Sequence, residues 1–335
     1  MRAETLAVEA RAVAVADAER AAALAVEAKF AAETLMTMVL PVATTDSAVR
    51  AVTAPRIAAR QTTNRQQPRV VERPTVELAD PLAPVVVRAS GLVKRFGTTT
   101  AVSGIDLQVR AGSFFGIVGP NGAGKTTTLS MITGLLRPTA GSIHVHGIDV
   151  WAKPVQAKRL IGVLPDRLRL FDRLTGAQLL YYSGTLRGLN HRTVRERSTD
   201  LAAAFGLEDA LDRLVADYSA GMTKKIALAC AMIHSPRVLV LDEPFESVDP
   251  VSAVNVTEIL QKYVASGGTV LLSSHGMDLI QRVCDHVAII VEGAVLASGT
   301  IAEVRGESTL EERFIELAGG RTVAEGMEWL HSFSD

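Results

Sequence analysis

Residues 114–127 read Phe114-Phe115-Gly116-Ile117-Val118-Gly119-Pro120-Asn121-Gly122-Ala123-Gly124-Lys125-Thr126-Thr127. The first five form a short uncharged run of the length of a buried strand, and a helical pattern follows directly after Lys125. Between them the spacing is G-x-x-x-x-G-K-[ST]. Glycines let backbone N–H groups wrap phosphate oxygens, and the N-terminus of the following helix adds positive potential. Lys125 can then reach the β and γ phosphates, and the Thr126 hydroxyl can ligate magnesium. The candidate nucleotide contacts are Gly119, Pro120, Asn121, Gly122, Ala123, Gly124, Lys125, Thr126 and Thr127. A plain glycine-rich turn is the competing reading, and the strand before it and the helix after it weigh against that.

A phosphate cradle only binds; hydrolysis needs groups that hold magnesium and orient water. Val238-Leu239-Val240-Leu241-Asp242-Glu243 has the pattern of a buried central strand ending in two carboxylates. Asp242 at the strand end suits a magnesium site, and Glu243 suits the general base for an attacking water. Two such carboxylates could also simply cap the next helix. His275 ends another apolar run, Thr269–Ser274, where an imidazole could touch the γ phosphate. The other histidines carry less. His144 and His146, two apart on an expected strand, would share a face without a third metal ligand, His234 precedes Pro236 at a turn, and His191 reads as surface.

From residue 85 the texture alternates short β-branched runs, glycine turns and amphipathic helices, as in an α/β domain. Strands are expected at 85–88, 102–109, 141–145, 114–118, 238–241, 269–273 and 287–291. Helices are expected at 125–136, 177–186 and 194–204, with mostly helical patterns from 168 to 232. Residues 1–84 differ in kind. They hold 22 alanines, against 25 in the remaining 251 residues, and Phe30 as their one aromatic, so they lack side chains to fix a packed face. Residues 47–73 add Arg50, Arg56, Arg60, Arg65, Arg69 and Arg73 against Glu72, which reads as a solvated linker. The net charge of -1 gives no basic surplus for nucleic acid. Cys230 and Cys284 are far apart and form no metal or disulfide pattern, which suits a reducing interior. No run approaches the roughly 20 apolar residues of a membrane span, so a soluble, cytoplasmic polypeptide is expected.

Taken in order, Phe96, the phosphate loop, Tyr218-Ser219-Ala220-Gly221-Met222, the Asp242-Glu243 strand, Ser247-Val248-Asp249 and His275 resemble the motif set of the ATP-binding cassette (ABC) nucleotide-binding domain. The resemblance covers about residues 85–318. The form of the signature, Leu164-Pro165 upstream, and the ending from Thr309 to Leu317 are similar to ATPase subunits of ABC-2-type exporters. The resemblance implies an α/β fold with a P-loop NTPase core, an antiparallel β subdomain and an inserted helical signature subdomain at about 168–225. Residues 1–84 and 319–335 would be extensions. It also implies ATP and Mg2+ as ligands.

By position, the resemblance places Phe96 on the adenine ring, although a core Phe after a basic pair would look the same. Ser219 and Gly221 would bind the γ phosphate of an ATP held by the opposite subunit. Two cassettes would then pair head to tail, most simply as a homodimer, around two ATPs. Asp249 would couple the two sites, unless it is an ordinary loop carboxylate. Pro165-Asp166 falls where the family has a Gln, often Glu in the exporter branch, that senses magnesium. Aspartate is one methylene shorter, so its contact could run through water. Ala220 and Met222 also depart from the commoner glycine and glutamine. The region 168–182, with Phe171, Tyr181 and Tyr182, falls where the family receives its membrane partner, and those aromatics could equally be core. The expected protein is the ATP-hydrolysing subunit of an exporter, held at the inner face of the cell membrane by a separate multi-spanning permease, with no nucleic-acid partner. A soluble non-transport ABC ATPase is the alternative, and a binding module without turnover a third.

Overall fold

The computed structural model describes residues 82–318; the expectations for residues 1–81 and 319–335 lie outside the described residues. In chain order the strands are β1 (Val85–Phe96), β2 (Thr99–Arg110), β3 (Phe114–Val118), β4 (Ala140–Val145), β5 (Ile148–Asp149), β6 (Ile161–Leu164), β7 (Val238–Leu241), β8 (Thr269–Ser274), β9 (His286–Val291) and β10 (Ala294–Thr300). They make two sheets, an antiparallel one in the order β2-β1-β4-β5 and a six-stranded one in the order β10-β9-β3-β8-β7-β6. The larger sheet is parallel from β9 to β6, and β10 joins β9 antiparallel.

β3, β7 and β8 are buried at every position because they run through the middle of the parallel sheet and are covered on both faces. Alternate side chains serve different cores. Phe114, Val118, Leu239, Leu241, Val270 and Leu272 face one cluster. Phe115, Ile117, Val238, Val240 and Leu271 face the other, shared with the antiparallel sheet. This explains why these strands read as continuous apolar runs.

The helices are α1 (Lys125–Ile132), α2 (Pro154–Leu160), α3 (Gly176–Leu186), α4 (His191–Phe205), α5 (Ala220–Met232), α6 (Pro250–Ala265), α7 (Met277–Val283), α8 (Ile301–Arg305) and α9 (Leu310–Leu317). The fold is thus a P-loop α/β core with an antiparallel β part, and α3 to α5 lie between β6 and β7 as the inserted helical part.

Several boundaries move for identifiable reasons. α1 stops at Ile132 rather than running to 136, because Gly134 takes a left-handed φ of 68° and turns the chain away. β1 continues past residue 88 to Phe96, since an irregular register between Ala89 and Leu92, with Gly91 at φ 56°, absorbs what looks like a turn. α3 and α4 begin earlier than their apolar patterns, where the Thr175 and Asn190 side chains accept from the backbone N–H of Gln178 and Thr193. His144 and His146 do not share a face. β4 ends at Val145, His146 has φ 48° in the following turn, and the His144 imidazole lies 3.9 Å from Asp149. Cys284 is buried and Cys230 partly so, both as free thiols, and burial pushes the Cys230 thiol up to about 11.

α5 packs closely on β6 at Gly162. A Cβ there would come 2.3 Å from the Ala231 carbonyl oxygen and 2.7 Å from Leu239 Cδ2. Backbone cannot yield as a flexible side chain can, so Gly162→Ala is expected to destabilise the fold by about 1–3 kcal/mol. A urea unfolding midpoint unchanged from wild type would contradict this packing.

Candidate active site

The turn from β3 into α1 is held by close backbone approaches. A Cβ on Gly119 would lie 2.1 Å from the Ile290 carbonyl oxygen, and one on Gly124 2.6 Å from that of Ala101. Gly122 and Gly124 have φ of 80° and 101°, which glycine adopts without the Cβ penalty. The loop is therefore wedged between β9 and β2, and Gly293 N–H donates to the Ala123 carbonyl at 2.9 Å. Lys125 is buried at the start of α1, and its ammonium donates to the carbonyls of Gly119 at 2.8 Å and Pro120 at 3.3 Å.

β7 delivers Asp242 and Glu243 opposite this loop. Asp242 is 5% exposed, and burial raises its pKa against the lowering effect of hydrogen bonds from Ser273 and Thr126. Asp166 and Glu243 raise it further through like charge. The Ser273 hydroxyl donates to Asp242 Oδ1 at 2.5 Å and accepts from Glu243 N–H at 3.0 Å. Glu243 itself has φ 47°, a left-handed backbone that costs a non-glycine residue about 1–3 kcal/mol and persists only where neighbours hold it. In this position its carboxylate lies 3.7 Å from Lys125 Nζ and 3.1 Å from His275 Nδ1.

The loop from Pro120 to Thr127 lines a cavity of about 550 Å³ together with Asp166, Glu243 and His275, and Asp242 lines an adjoining cavity with Thr126 and Asp166. Gly119 is not part of the first lining, and its carbonyl accepts from the Lys125 ammonium. The other expected contacts lie elsewhere. Phe96 ends β1, is 50% exposed, and has Lys94 Nζ 5.1 Å from its ring centre. Ser219 caps α5 by accepting from Met222 N–H, with Gly221 as the second residue of the helix. Asp249 caps α6 by accepting from Ser252 N–H at 2.9 Å, which lowers its pKa. Gly221 and Asp249 are neighbours: a Cβ on Gly221 would sit 3.4 Å from the Asp249 carboxylate.

Sequence reasoning missed Ser273, which joins both carboxylate residues, and Lys224, whose ammonium donates to the Glu243 carbonyl. A signal for Ser273 existed, since Ser273 and Ser274 are the polar end of the strand leading to His275. Lys224 and Lys225 look alike in sequence, and nothing there says which one turns inward. His234 is a structural histidine: its Nε2 lies 3.1 Å from the Ile161 carbonyl, and burial lowers its pKa to about 4.

The family model described as "ABC transporter" matches residues 102–246. The chain is 41% identical to the daunorubicin/doxorubicin resistance ATP-binding protein DrrA of Streptomyces peucetius, over 65% of this chain and 66% of that one. It is 40% identical to the ABC transporter ATP-binding protein NatA of Bacillus subtilis, over 60% of this chain and 82% of NatA. A solved structure of the ATP binding subunit of an ABC transporter superposes with a TM-score of 0.66 at 28% identity, covering 70% of this chain and 99% of that one. Since the phosphate loop, Asp242 and Glu243 all fall inside the matched region, and the loop shares its cavity with Glu243, the chain belongs to the ABC transporter family, as an ATP-hydrolysing subunit.

Proposed function

We propose that this protein couples ATP hydrolysis to export through a separate membrane-spanning permease, working as a head-to-tail pair of identical chains. The observation that carries the pairing is that Ser219 and Gly221 do not line the cavity formed by Pro120 to Thr127. A site whose second half lies elsewhere on the same chain is completed most simply by a second copy.

In this reading the backbone N–H groups of the loop and the Lys125 ammonium hold the phosphates, and Phe96 supports the adenine. Glu243 accepts a proton from the attacking water, and His275 orients the γ phosphate beside it. The donor set beside the loop fits magnesium: the Thr126 hydroxyl meets a buried Asp242 carboxylate whose burial favours a cationic partner, and Asp166 adds a second carboxylate. When bound, the ion would neutralise charge building on the phosphate oxygens. Asp249, beside Gly221, would relay closure at one site to the other.

Export is supported by the exporter-like signature and by the relative named for drug resistance. Among the described residues no helix is long and apolar enough to cross a membrane, so the pore is assigned to a partner at the inner face of the cell membrane. Of the three aromatics at 171–182, Phe171 is 71% exposed and Tyr182 partly so, which suits a docking face. Tyr181 packs against the core and its hydroxyl lies 2.6 Å from His191 Nδ1. Capture of the protein from detergent-solubilised membranes should bring down a multi-spanning protein identifiable by mass spectrometry. Recovery with ribosomes or nucleic acid instead would favour the non-transport alternative.

A further inference from the structure

We propose that Lys224 is a positioning residue for hydrolysis, holding the backbone of Glu243 in the conformation that aims its carboxylate into the cavity. The inference rests on the reading of Glu243 as the general base. Glu243 occupies a left-handed backbone region at φ 47°, so its peptide groups must be restrained from both sides. On the amide side its N–H donates to Ser273 Oγ at 3.0 Å. On the carbonyl side the acceptor is taken by the Lys224 ammonium. Relaxation of either peptide would rotate the side chain out of reach of His275 and Lys125, which it meets at 3.1 and 3.7 Å.

Lys224 is suited to the task by its surroundings. Its half-buried ammonium loses hydration, which lowers its pKa, while the carboxylates of Glu246, Asp166, Glu243 and Asp242 offset that loss. The same lysine stands on α5, five residues beyond the Ser219 cap, so the helix that begins at the signature is tied directly to the hydrolytic turn of its own chain. A displacement of α5 therefore reaches Glu243 through one side chain.

The test compares full-length wild type with Lys224→Met, Lys224→Gln, Lys225→Met and Glu243→Gln, measuring kcat, KM, ATP affinity by calorimetry and thermal midpoint. Met fills the space without a donor, whereas Gln keeps an N–H for the carbonyl. Lys224→Met should lose about tenfold or more in kcat with KM and ATP affinity within about twofold, and Lys224→Gln should recover to within about threefold of wild type. Lys225→Met should match wild type. Where Lys224→Met does not fold, Lys224→Ala takes its place. Wild-type turnover in the Met or Ala variant, or equal loss in the Gln variant, overturns the role of Lys224 while a dead Glu243→Gln keeps the glutamate reading intact. Wild-type turnover in Glu243→Gln overturns the glutamate reading itself, and this proposal with it.

Discussion

Glu243→Gln is expected to reduce ATP turnover by about a hundred- to ten-thousandfold, the usual worth of a positioned general base, while ATP stays bound. The amide is nearly isosteric and can keep a hydrogen bond to His275, so the turn after β7 has no steric reason to move. What disappears is a group able to take a proton from water. The phosphate contacts come from the loop at Pro120 to Thr127 and from Lys125, none of which the substitution removes. Binding therefore continues without the step that ends it, and an ATP-bound dimer should accumulate. Size exclusion with and without ATP and a steady-state phosphate-release assay read both consequences. Turnover at the wild-type rate would sink the assignment of Glu243.

Lys125→Ala should fail one step earlier. The ammonium is buried at the mouth of α1 and is the cation nearest the loop carbonyls of Gly119 and Pro120. Truncating one partner of a desolvated, hydrogen-bonded charge pair costs about 2–5 kcal/mol, which corresponds to roughly thirty- to several-thousandfold weaker binding. Titration calorimetry with ATP should show heat lost or a Kd raised on that scale, with the unfolding midpoint measured alongside to confirm a folded chain. An unchanged affinity would contradict the phosphate-loop reading. The two variants are distinguishable by design: the glutamine variant binds and stalls, and the alanine variant does not load.

The places of the phosphate loop after β3, of Asp242 and Glu243 after β7 and of His275 after β8 were legible from sequence because they depend on short spacing. A strand end fixes where a carboxylate or imidazole emerges, and a glycine pattern before a helix fixes where backbone N–H groups converge. β3, β7 and β8 were readable for a related reason, since a strand covered on both faces is apolar at consecutive positions. β1 was under-read because its Ala89-Ser90-Gly91 segment carries turn residues inside a strand, and only pairing with β2 and β4 shows that the chain continues through an irregularity there. The pairing of His144 with His146 failed on one residue of backbone direction at the end of β4.

By itself, the sequence determined that this protein has a nucleotide-binding α/β core, and which residues stand at its phosphate loop and strand ends, because local spacing and apolar runs encode them. Tertiary structure alone decided how those residues are held. Glu243 meets His275 from a left-handed turn whose N–H donates to Ser273 from β8 and whose carbonyl accepts from Lys224 of α5, residues 30 and 19 positions away in the chain. It also decided that Ser219 and Gly221 do not line the cavity formed by the phosphate loop. Contacts between distant segments depend on how sheets and helices pack, and that packing leaves no fixed interval in the chain to read.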